Sequence, residues 1–357
     1  MPLIFEIREY EGSPAELSDF MFTHWSATYR GKMVVPRWTA DYLRWQLRMD
    51  DPSFRRHIVV AYKGTQLAGV LAHVPLEIHL IGQRFRASQQ SWLTVAQEFR
   101  RQGVGQAMAD RSVAIHRERG CAFHVGYTYF GHKISLGPKF VRDTQSKHVN
   151  SIRNAGFWVR VLDPAKSAAW NINPWEAWAT RLATPLFPRL GRPTNTALTI
   201  RPAEPRDLDT CLALVNRETS QCDLRIAWDA DSMSRQLGLQ GYSHALVAEE
   251  GGQVRGLITF HILPMTGHFE APVGIIDIVG VSELSKTARN AVVDAALLSL
   301  QELGAIVALK LRVGDYPPGL FLRLGWMIRP PDSHVVVDWI SVPRPAHEFS
   351  RLHLLWR

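Results

Sequence analysis

The fold is decided by a stretch that joins a short apolar strand to a helix, Leu93-Thr94-Val95-Ala96-Gln97-Glu98-Phe99-Arg100-Arg101-Gln102-Gly103-Val104-Gly105. The helix is predicted to begin near Gly103, because apolar residues recur at helical spacing after it. A helix N-terminus presents unpaired backbone N–H groups and the positive end of the helix dipole. Gly103 and Gly105 have no Cβ atom, so a bulky anion can approach the backbone, and Arg100 and Arg101 add positive charge. The turn therefore predicts a cradle for a pyrophosphate group.

Two other phosphate-binding turns do not fit this stretch. A Walker loop needs Gly-Lys-Ser/Thr, which does not follow Gly105, and the glycine spacing differs from the Rossmann fingerprint. An ordinary strand-to-helix connection with a glycine-rich turn is the alternative. The context favours the cradle, because an apolar hairpin precedes the turn and an apolar strand at 122–127 follows the helix.

An internal repeat organises the rest of the chain. The two copies agree at six positions and read His57-Ile-Val-Val-Ala-Tyr-Lys-Gly-Thr-Gln-Leu-Ala-Gly-Val-Leu-Ala and His244-Ala-Leu-Val-Ala-Glu-Glu-Gly-Gly-Gln-Val-Arg-Gly-Leu-Ile-Thr. Each is predicted to form a β-hairpin, with a glycine-containing turn between two apolar strands. Later segments match in the same order, including residues 154–160 with residues 323–329. This order favours a duplicated unit of strands and helices over chance resemblance between hairpins.

Around the glycine-rich turn, the sequence resembles the GNAT N-acetyltransferase superfamily in a tandem arrangement. The signature of that family, Gln/Arg-x-x-Gly-x-Gly/Ala between a strand and a long helix, is matched by Arg100-x-x-Gly103-x-Gly105. The resemblance implies that acetyl-CoA, or another acyl-CoA, is the cofactor. The strand backbone would bind the pantetheine arm, and the turn would hold the pyrophosphate. The implied cofactor-binding residues are Leu93, Thr94, Val95, Arg100, Arg101, Gln102, Gly103, Val104 and Gly105.

The resemblance and the repeat together predict an α/β (α+β) chain of two tandem GNAT-like domains, each with a mixed, mostly antiparallel sheet and flanking helices. We expect a first domain over residues 1–162, a Pro/Trp-rich linker over 163–195, a second domain over 196–342 and a C-terminal tail over 343–357. A strand at 334–340 is expected to close the second sheet. The tryptophans of the linker are expected to pack against a domain rather than lie on a membrane surface.

The second copy has no cradle at the corresponding turn. Residues 281–286 contain no glycine, and Glu283 would repel a phosphate group. We therefore predict a degenerate second domain that completes an acceptor pocket or a dimer interface.

The candidate acids are Tyr127 and Tyr129, at the end of the strand after the helix. GNAT chemistry is the direct attack of an amine on a thioester, which needs a base for the amine and an acid for the departing thiolate. The resemblance would place a tyrosine acid four residues before the Gly-aromatic pair, but Ile152 and Phe321 stand there in the two copies. The alternative role of Tyr127 and Tyr129 is that of aromatic residues in the core or at its rim.

The candidate bases are Glu77 and His79, which share one face of a predicted strand because they are two residues apart. A salt-bridged surface glutamate and a hydrogen-bonded histidine are the alternative. Other candidates are His73, Ser91 and His132. No metal site is predicted.

Composition limits the partners and the location. The formal net charge of +8 suits a polyanionic partner, but no nucleic-acid motif accompanies the scattered basic residues, so nucleic acid is not expected. The three cysteines match no zinc pattern and indicate a reducing compartment. Charged residues lie too early for a signal peptide, and no apolar run is long enough to span a membrane. We expect a cytoplasmic protein.

These observations predict an acyl-CoA-dependent N-acyltransferase that transfers acetyl from acetyl-CoA to a small-molecule or peptide amine. A homodimer is a candidate assembly, and the oligomeric state stays open. Two other functions stay open. One is a non-catalytic CoA-binding or scaffolding protein, and the other is an acyltransferase that uses a longer acyl chain or an acyl-carrier protein.

Overall fold

The structure is a computed structural model that describes residues 5–131, 135, 149–183, 185, 188, 190–191 and 198–357. The chain divides into two compact units. The first unit contains the chain up to Ala155, residues 332–349 and Arg357, and the second contains residues 156–331 and 350–356.

The first unit is a sheet with helices packed against it. Its strands are β1 (Glu6–Glu9), β2 (Val35–Pro36), β3 (Ile58–Lys63), β4 (Gln66–Leu80), β5 (Gln83–Val95), β6 (Phe123–Tyr129), β7 (Val149–Ala155) and, from later in the chain, β16 (Ser333–Trp339). Its helices are α1 (Pro14–Tyr29), α2 (Ala40–Leu47), α3 (Pro52–Arg55) and α4 (Val104–Glu118). The sheet order is β1-β3-β4-β5-β6-β16-β7, and within it the β5–β6 pair is parallel while the other pairs are antiparallel.

The second unit repeats this arrangement. Its strands are β8 (Phe157–Val161), β9 (Leu198–Pro202), β10 (Leu224–Ile226), β11 (His244–Glu250), β12 (Gln253–Thr266), β13 (Glu270–Gly280), β14 (Val307–Leu311), β15 (Trp326–Ile328) and β17 (Leu352–His353). Its helices are α5 (Pro164–Trp170), α6 (Pro174–Ala183), α7 (Leu208–Glu218), α8 (Ala230–Gln236) and α9 (Lys286–Glu302). The sheet order is β9-β11-β12-β13-β14-β8-β15, and in this order the β13–β14 pair is parallel.

The two predicted hairpins are present and share a detail of their register. They are β3–β4 and β11–β12, and both are antiparallel. A β-bulge falls at Ala61/Tyr62 in the first hairpin and at Ala248/Glu249 in the second, at the same position of the repeat. The predicted fold class, two GNAT-like units with mixed and mostly antiparallel sheets, is confirmed.

The strand predicted at 334–340 does not close the second sheet, so that prediction is wrong. The strand is β16, which pairs with β6 and β7 in the first unit, for example Val337 with Val125 and Asn150. In the same way β8, from the first half of the chain, pairs with β14 and β15 in the second unit. Alternating apolar residues fit either sheet, and the pairing partner is a long-range choice that the strand's own sequence does not encode. The predicted boundaries at 162 and 196 stay predictions.

Strand lengths also differ from the expectation. The segments predicted as separate strands near residues 77–80 and 92–95 are the ends of the long strands β4 and β5, which pair with each other from Leu80–Gln83 to Gly69–Val95. The segment predicted as a C-terminal tail contains β17, which pairs in parallel with β10. Its residues Leu352, Leu354 and Leu355 are buried.

The Pro/Trp-rich segment packs only in part. The Trp170 indole donates a hydrogen bond to the Met265 carbonyl oxygen at 3.1 Å. Trp175 and Trp178 are 75% and 55% exposed, so the prediction that the linker tryptophans pack against a domain is wrong for these two. Among the described residues, no helix is both long enough and apolar enough to cross a membrane.

Helix α4 is held against the sheet of the first unit by apolar contacts. Its residues Val104, Met108 and Ile115 belong to a buried cluster with residues of β3, β4 and the turn after β5. The helix passes so close to β4 that a Cβ atom at Gly69 would lie 2.8 Å from Met108 Cε. The N-terminus of α4 is thereby fixed beside the end of β5.

Candidate functional site

The two parallel strands of the first sheet separate at their C-terminal ends. The register between β5 and β6 runs from Ala87–Phe123 to Gln90–Gly126, after which β5 continues to Val95 and β6 to Tyr129. At the last pair the strands approach closely, since a Cβ atom at Gly126 would lie 2.9 Å from the Gln90 carbonyl oxygen. Beyond this point the facing strand edges can accept a ligand.

A β-bulge lies where β5 leaves β6. Val70 pairs with Thr94 and Ala72 pairs with Ser91, so that Leu71 stands opposite both Trp92 and Leu93. Trp92 has φ +59°, a left-handed conformation that is uncommon for a residue other than glycine. Bulges of this kind redirect backbone groups and are frequent beside active sites.

The bulge is packed under aromatic rings from α1, α2 and the segment between them. Trp25 lies edge-on to Trp38, with ring centroids 4.9 Å apart, and Trp38 and Tyr42 both lie edge-on to Trp92. The Trp25 indole donates to Thr94 Oγ1 at 2.9 Å, and that hydroxyl donates to the Trp92 carbonyl oxygen at 3.2 Å. Within the described part of the chain, the buried indole N–H of Trp92 has no hydrogen-bond partner.

The nine predicted cofactor-binding residues lie at the end of β5, in the turn that follows it and at the start of α4. Residues Gln97–Phe99 form one turn of 3₁₀ helix, Arg101 has φ +62°, and Gly103 caps α4 with φ +81°. No side chain of the described residues caps the N-terminus of α4. The amides of its first turn therefore keep their donor capacity for an anion.

The two arginines of the turn lie in different surroundings. Arg100 Nε donates to the Val95 carbonyl oxygen at 3.0 Å, and its Nη2 donates to Thr28 Oγ1 at 2.8 Å. Its partial burial lowers the pKa of the guanidinium. Arg101 and Gln102 are exposed, and Gln102 Nε2 donates to the Glu98 carbonyl oxygen at 2.7 Å. Arg100 thus braces the turn, while Arg101 contributes charge at the surface.

The tyrosines predicted as acids lie in the separated part of β6. Tyr127 and Tyr129 both follow Gly126, the last residue of β6 that pairs with β5, and both are half-buried. On their other side they pair with Val335 and Ser333 of β16. They therefore share a face of the strand at the open end of the sheet.

The residues predicted as bases lie farther along the sheet. Glu77 pairs with Arg86, seven positions along β4 from Val70, which faces Thr94, so it lies about 20 Å from the bulge at roughly 3.3 Å per residue. Its carboxylate forms ion pairs with Arg84 at 3.2 Å and Arg86 at 3.8 Å. His79 lies two residues closer to the hairpin end.

The structure places the other candidates differently. Ser91 lies at the bulge, where its Oγ donates to the backbone oxygen of Arg357 at 2.9 Å. The Arg357 guanidinium lies over the Trp45 ring, 4.9 Å from its centroid. His73 is buried on β4 among other histidines. His132 lies outside the described residues.

Sequence reasoning missed Thr28, Trp25 and Trp92 as neighbours of the cradle. No local pattern points to Thr28 or Trp25, because they reach the turn from α1, more than sixty residues earlier in the chain. The signal at Trp92 is its backbone conformation, which the residue type does not reveal.

In the second unit, protein groups occupy the corresponding turn. Ser285 caps α9 by accepting from the Ala288 N–H at 3.3 Å, and the Ser282 N–H donates to Glu218 at 3.0 Å. The last pair between β13 and β14 places Lys310 where the first unit has Gly126. Lys310 is 1% exposed, and its Nζ donates to the Asp277 carbonyl oxygen at 2.7 Å. These contacts support a second copy that does not hold pyrophosphate.

Comparison with known proteins agrees with this geometry. A family model described as an acetyltransferase (GNAT) domain matches residues 14–132, which include α1, the bulge, the turn and β6. A search of curated protein sequences found no match.

Among solved structures, two of Saccharomyces cerevisiae N-myristoyltransferase with bound myristoyl-CoA are similar to the chain. One has a TM-score of 0.71 at 15% identity and covers 95% of this chain and 83% of the yeast chain. The other has a TM-score of 0.73 at 15% identity and covers 100% of this chain and 86% of the yeast chain. A GCN5-related N-acetyltransferase from Anabaena variabilis has a TM-score of 0.54 at 12% identity and covers 93% of this chain and 72% of its own.

The fold and the matched residues define the class. The chain contains an acetyltransferase (GNAT) domain at residues 14–132. Over its whole length it has the tandem GNAT fold seen in the yeast structures.

Proposed function

We propose that the chain is an acyl-CoA-dependent N-acyltransferase whose cofactor binds in the first unit. The observation that carries this proposal is the N-terminus of α4, which has no side-chain cap among the described residues and adjoins the separated ends of β5 and β6. The pyrophosphate would accept hydrogen bonds from the amides of residues 101–105. The pantetheine arm would lie along Leu93, Thr94 and Val95, on the edge of β5 that faces β6.

The reaction would be a direct transfer. The amine nitrogen attacks the thioester carbonyl carbon, the C–S bond breaks, and the amine proton is lost as the thiolate gains one. The bulge at Trp92 and Leu93 can offer a backbone N–H to the thioester oxygen, because these residues leave the regular ladder with β4. Tyr127 and Tyr129 are the groups proposed to supply the proton to the thiolate, since they lie beside the separated strands.

The reaction also needs a base for the attacking amine. Glu77 and His79 stay predictions, and a direct role would need an acceptor that extends about 20 Å along β4 from the bulge. A base that acts through water nearer the bulge, where Ser91 Oγ meets the Arg357 backbone oxygen, is geometrically simpler.

The transferred group is proposed to be acetyl, from acetyl-CoA, and the acceptor a small-molecule or peptide amine. A longer acyl chain is the second candidate. It is favoured by the exposed Trp175 and Trp178, which give the second unit an apolar surface, and by the myristoyl-CoA in the similar yeast structures.

Calorimetry and turnover test the proposal in sequence. CoA is titrated first, and heat of binding that disappears in Gly103→Glu and in Arg100→Glu supports the cradle. Binding with no effect of either substitution, or no binding at all, contradicts it. Acetyl-, octanoyl- and myristoyl-CoA are then offered with a panel of amines and peptides. Release of free CoA thiol with an acceptor supports an enzyme, whereas binding without release supports the scaffold alternative.

A further inference from the structure

Four histidines of the first unit meet in the interior, away from the turn that holds the proposed cofactor. His73 lies on β4, His116 on α4 and His124 on β6, and these three are 1%, 2% and 2% exposed. Their ring centroids are 4.4 to 4.7 Å apart. His57, just before β3, is half-buried, and its Nδ1 lies 3.1 Å from His116 Nε2. Each of the three buried rings offers one nitrogen, and these nitrogens lie within 4.8 Å of one another.

The hydrogen bonds fix which nitrogen of His116 carries the proton. Its Nδ1 lies 2.8 Å from the carbonyl oxygen of Ser112, which can only accept, so Nδ1 donates. In the neutral ring, Nε2 then carries a lone pair, and the His57 Nδ1–H donates to it. Histidine ligands of metals commonly have one nitrogen held by a carbonyl oxygen in this way while the other binds the ion.

His124 and His73 differ in what their ring nitrogens contact. His124 Nδ1 lies 4.0 Å from the carboxylate of Asp338, whereas its Nε2 is buried without a hydrogen-bond partner among the described residues. His73 Nδ1 lies 3.1 Å from Ser88 Oγ, and its Nε2 lies 2.7 Å from Ser112 Oγ. A buried polar atom without a partner costs about 1–3 kcal/mol, so the orphaned nitrogen of His124 calls for an explanation beyond packing.

The charge state of the cluster suits a cation. Burial, with the neighbouring histidines acting in the same direction, lowers the pKa of His57 to about 3 and sets that of His73 and His124 well below the ordinary range. Burial also lowers the pKa of His116 to about 4. All four rings are therefore neutral near pH 7, which is the form that binds metals.

Arg119 and Asp338 are charged groups near the cluster, and they act on a cation in opposite directions. Arg119 opposes a cation, but its guanidinium is paired with Glu9 at 3.2 Å. The Asp338 carboxylate, behind His124, favours one.

We propose that His73, His116 and His124 bind one divalent transition-metal ion, with Zn²⁺ as the best match and His57 as the fourth ligand. Imidazole nitrogens are preferred ligands of zinc, and four protein ligands make a closed, structural site. Zn–N bonds of about 2.0–2.1 Å place tetrahedral nitrogens about 3.3 Å apart. The separation of 3.1 Å between His57 and His116 approaches that spacing, whereas the ligand nitrogens of His73, His116 and His124, which lie within 4.8 Å of one another, would have to move closer together.

Binding of the ion neither releases nor takes up a proton overall. The hydrated ion exchanges its water for four neutral nitrogens, and the proton on His57 Nδ1 moves to Nε2 of the same ring through solvent. The ion would replace the hydrogen bond between His57 and His116 and one of the two hydrogen bonds that His73 makes with Ser88 and Ser112, and it would give His124 Nε2 the partner it lacks. It would also tie α4 to β4 and β6, and so hold the helix whose N-terminus forms the cradle.

The test uses the full chain without an affinity tag, first stripped with a chelator. Zn²⁺ is titrated by calorimetry, and Co²⁺ is used as a spectroscopic probe because its visible absorption distinguishes tetrahedral nitrogen ligands. We expect one equivalent to bind, a tetrahedral Co²⁺ spectrum and a higher thermal midpoint with metal. His124→Ala should weaken binding at least tenfold and abolish that spectrum. His334→Ala is the control, because that histidine lies on β16 and is bonded to Asn154 at 2.7 Å.

A second substitution covers the case in which His124→Ala does not fold. His57→Ala alters a half-buried ring and should weaken binding while leaving a three-nitrogen site. Three results would each overturn the proposal. They are the absence of stoichiometric binding, an octahedral Co²⁺ spectrum, and equal affinity in the wild type, His57→Ala and any folded His124→Ala. CoA binding is measured on the same samples, and CoA binding by the metal-free chain would leave the proposed function standing if the metal site fails.

Discussion

Arg100 Nε donates to the backbone oxygen of Val95 at 3.0 Å, so the arginine of the glycine-rich signature braces the turn against the strand that precedes it. Its second bond, from Nη2 to Thr28 Oγ1, attaches the same guanidinium to α1. The first position of the motif therefore shapes the cradle, and the backbone amides that follow it are left to meet the anion.

Arg100→Ala should weaken CoA binding about tenfold or more, because hydrogen bonds from a charged group are worth about 1.5–3 kcal/mol and their loss frees the turn. Arg100→Lys should rescue little, since one ammonium cannot reproduce the planar fork. Arg101→Ala is the matched control. It removes an exposed charge and should cost only a few-fold, with a strong dependence on salt. Calorimetry at two ionic strengths separates the two effects, and equal losses at both positions would contradict a bracing role.

Gly103→Ala should abolish most CoA binding. Gly103 has φ +81°, where a Cβ atom costs about 1–2 kcal/mol and stands beside the amides of the cradle. Gly120→Ala is the matched control at the other end of α4, because Gly120 has φ +71° and its added Cβ would meet nothing within 4 Å. Both variants should lose similar thermal stability, but only Gly103→Ala should lose affinity for CoA. Parallel loss of affinity in both would indicate a general effect of helix stability.

The cradle and the hairpins could be predicted because their signals are local. Strand, glycine turn and helix follow one another within a dozen residues, and the hairpin turns recur in two copies. The exchange of β8 and β16 could not be predicted. An alternating strand carries no information about which of two similar sheets it joins, and the partners of β16 lie about two hundred residues away.

The sequence could predict the parts of the candidate site that are contiguous in the chain, but not the distances and contacts between separate segments. Glu77 and His79 do lie on one strand, but their distance from the bulge depends on how far β4 and β5 extend together, which alternation alone does not show. The histidine cluster left no motif either, because its members come from two strands, a helix and a loop. Their meeting is a product of the sheet order.

Thr94→Val should destabilise the first unit by about 1–3 kcal/mol, although valine has nearly the shape of threonine. The Thr94 hydroxyl accepts from the Trp25 indole at 2.9 Å, and valine leaves that partly buried donor without an acceptor. Thr94→Ser keeps the hydroxyl and should retain most of the stability. Thermal unfolding of the two variants checks the difference. If valine were as stable as serine, the hydrogen bond would not hold α1 to β5.

The three cysteines should resist thiol reagents in the native protein at pH 8. All are free and buried, and burial raises the pKa of Cys121 to about 11 and those of Cys211 and Cys222 to about 12. The thiolate is the reactive form, so native labelling should be slow, whereas denatured protein should label at all three positions.

Unfolded thiols ionise near pH 9. The native state thus retains protons that the unfolded state has lost, and stability should fall as the pH rises above about 9. Each thiol should contribute about 1.4 kcal/mol per pH unit in that range. Thermal midpoints between pH 8 and pH 11 measure the slope, and Cys211→Ala should make it shallower. An unchanged slope in that variant, or rapid native labelling of Cys211, would show that this thiol is not buried as described.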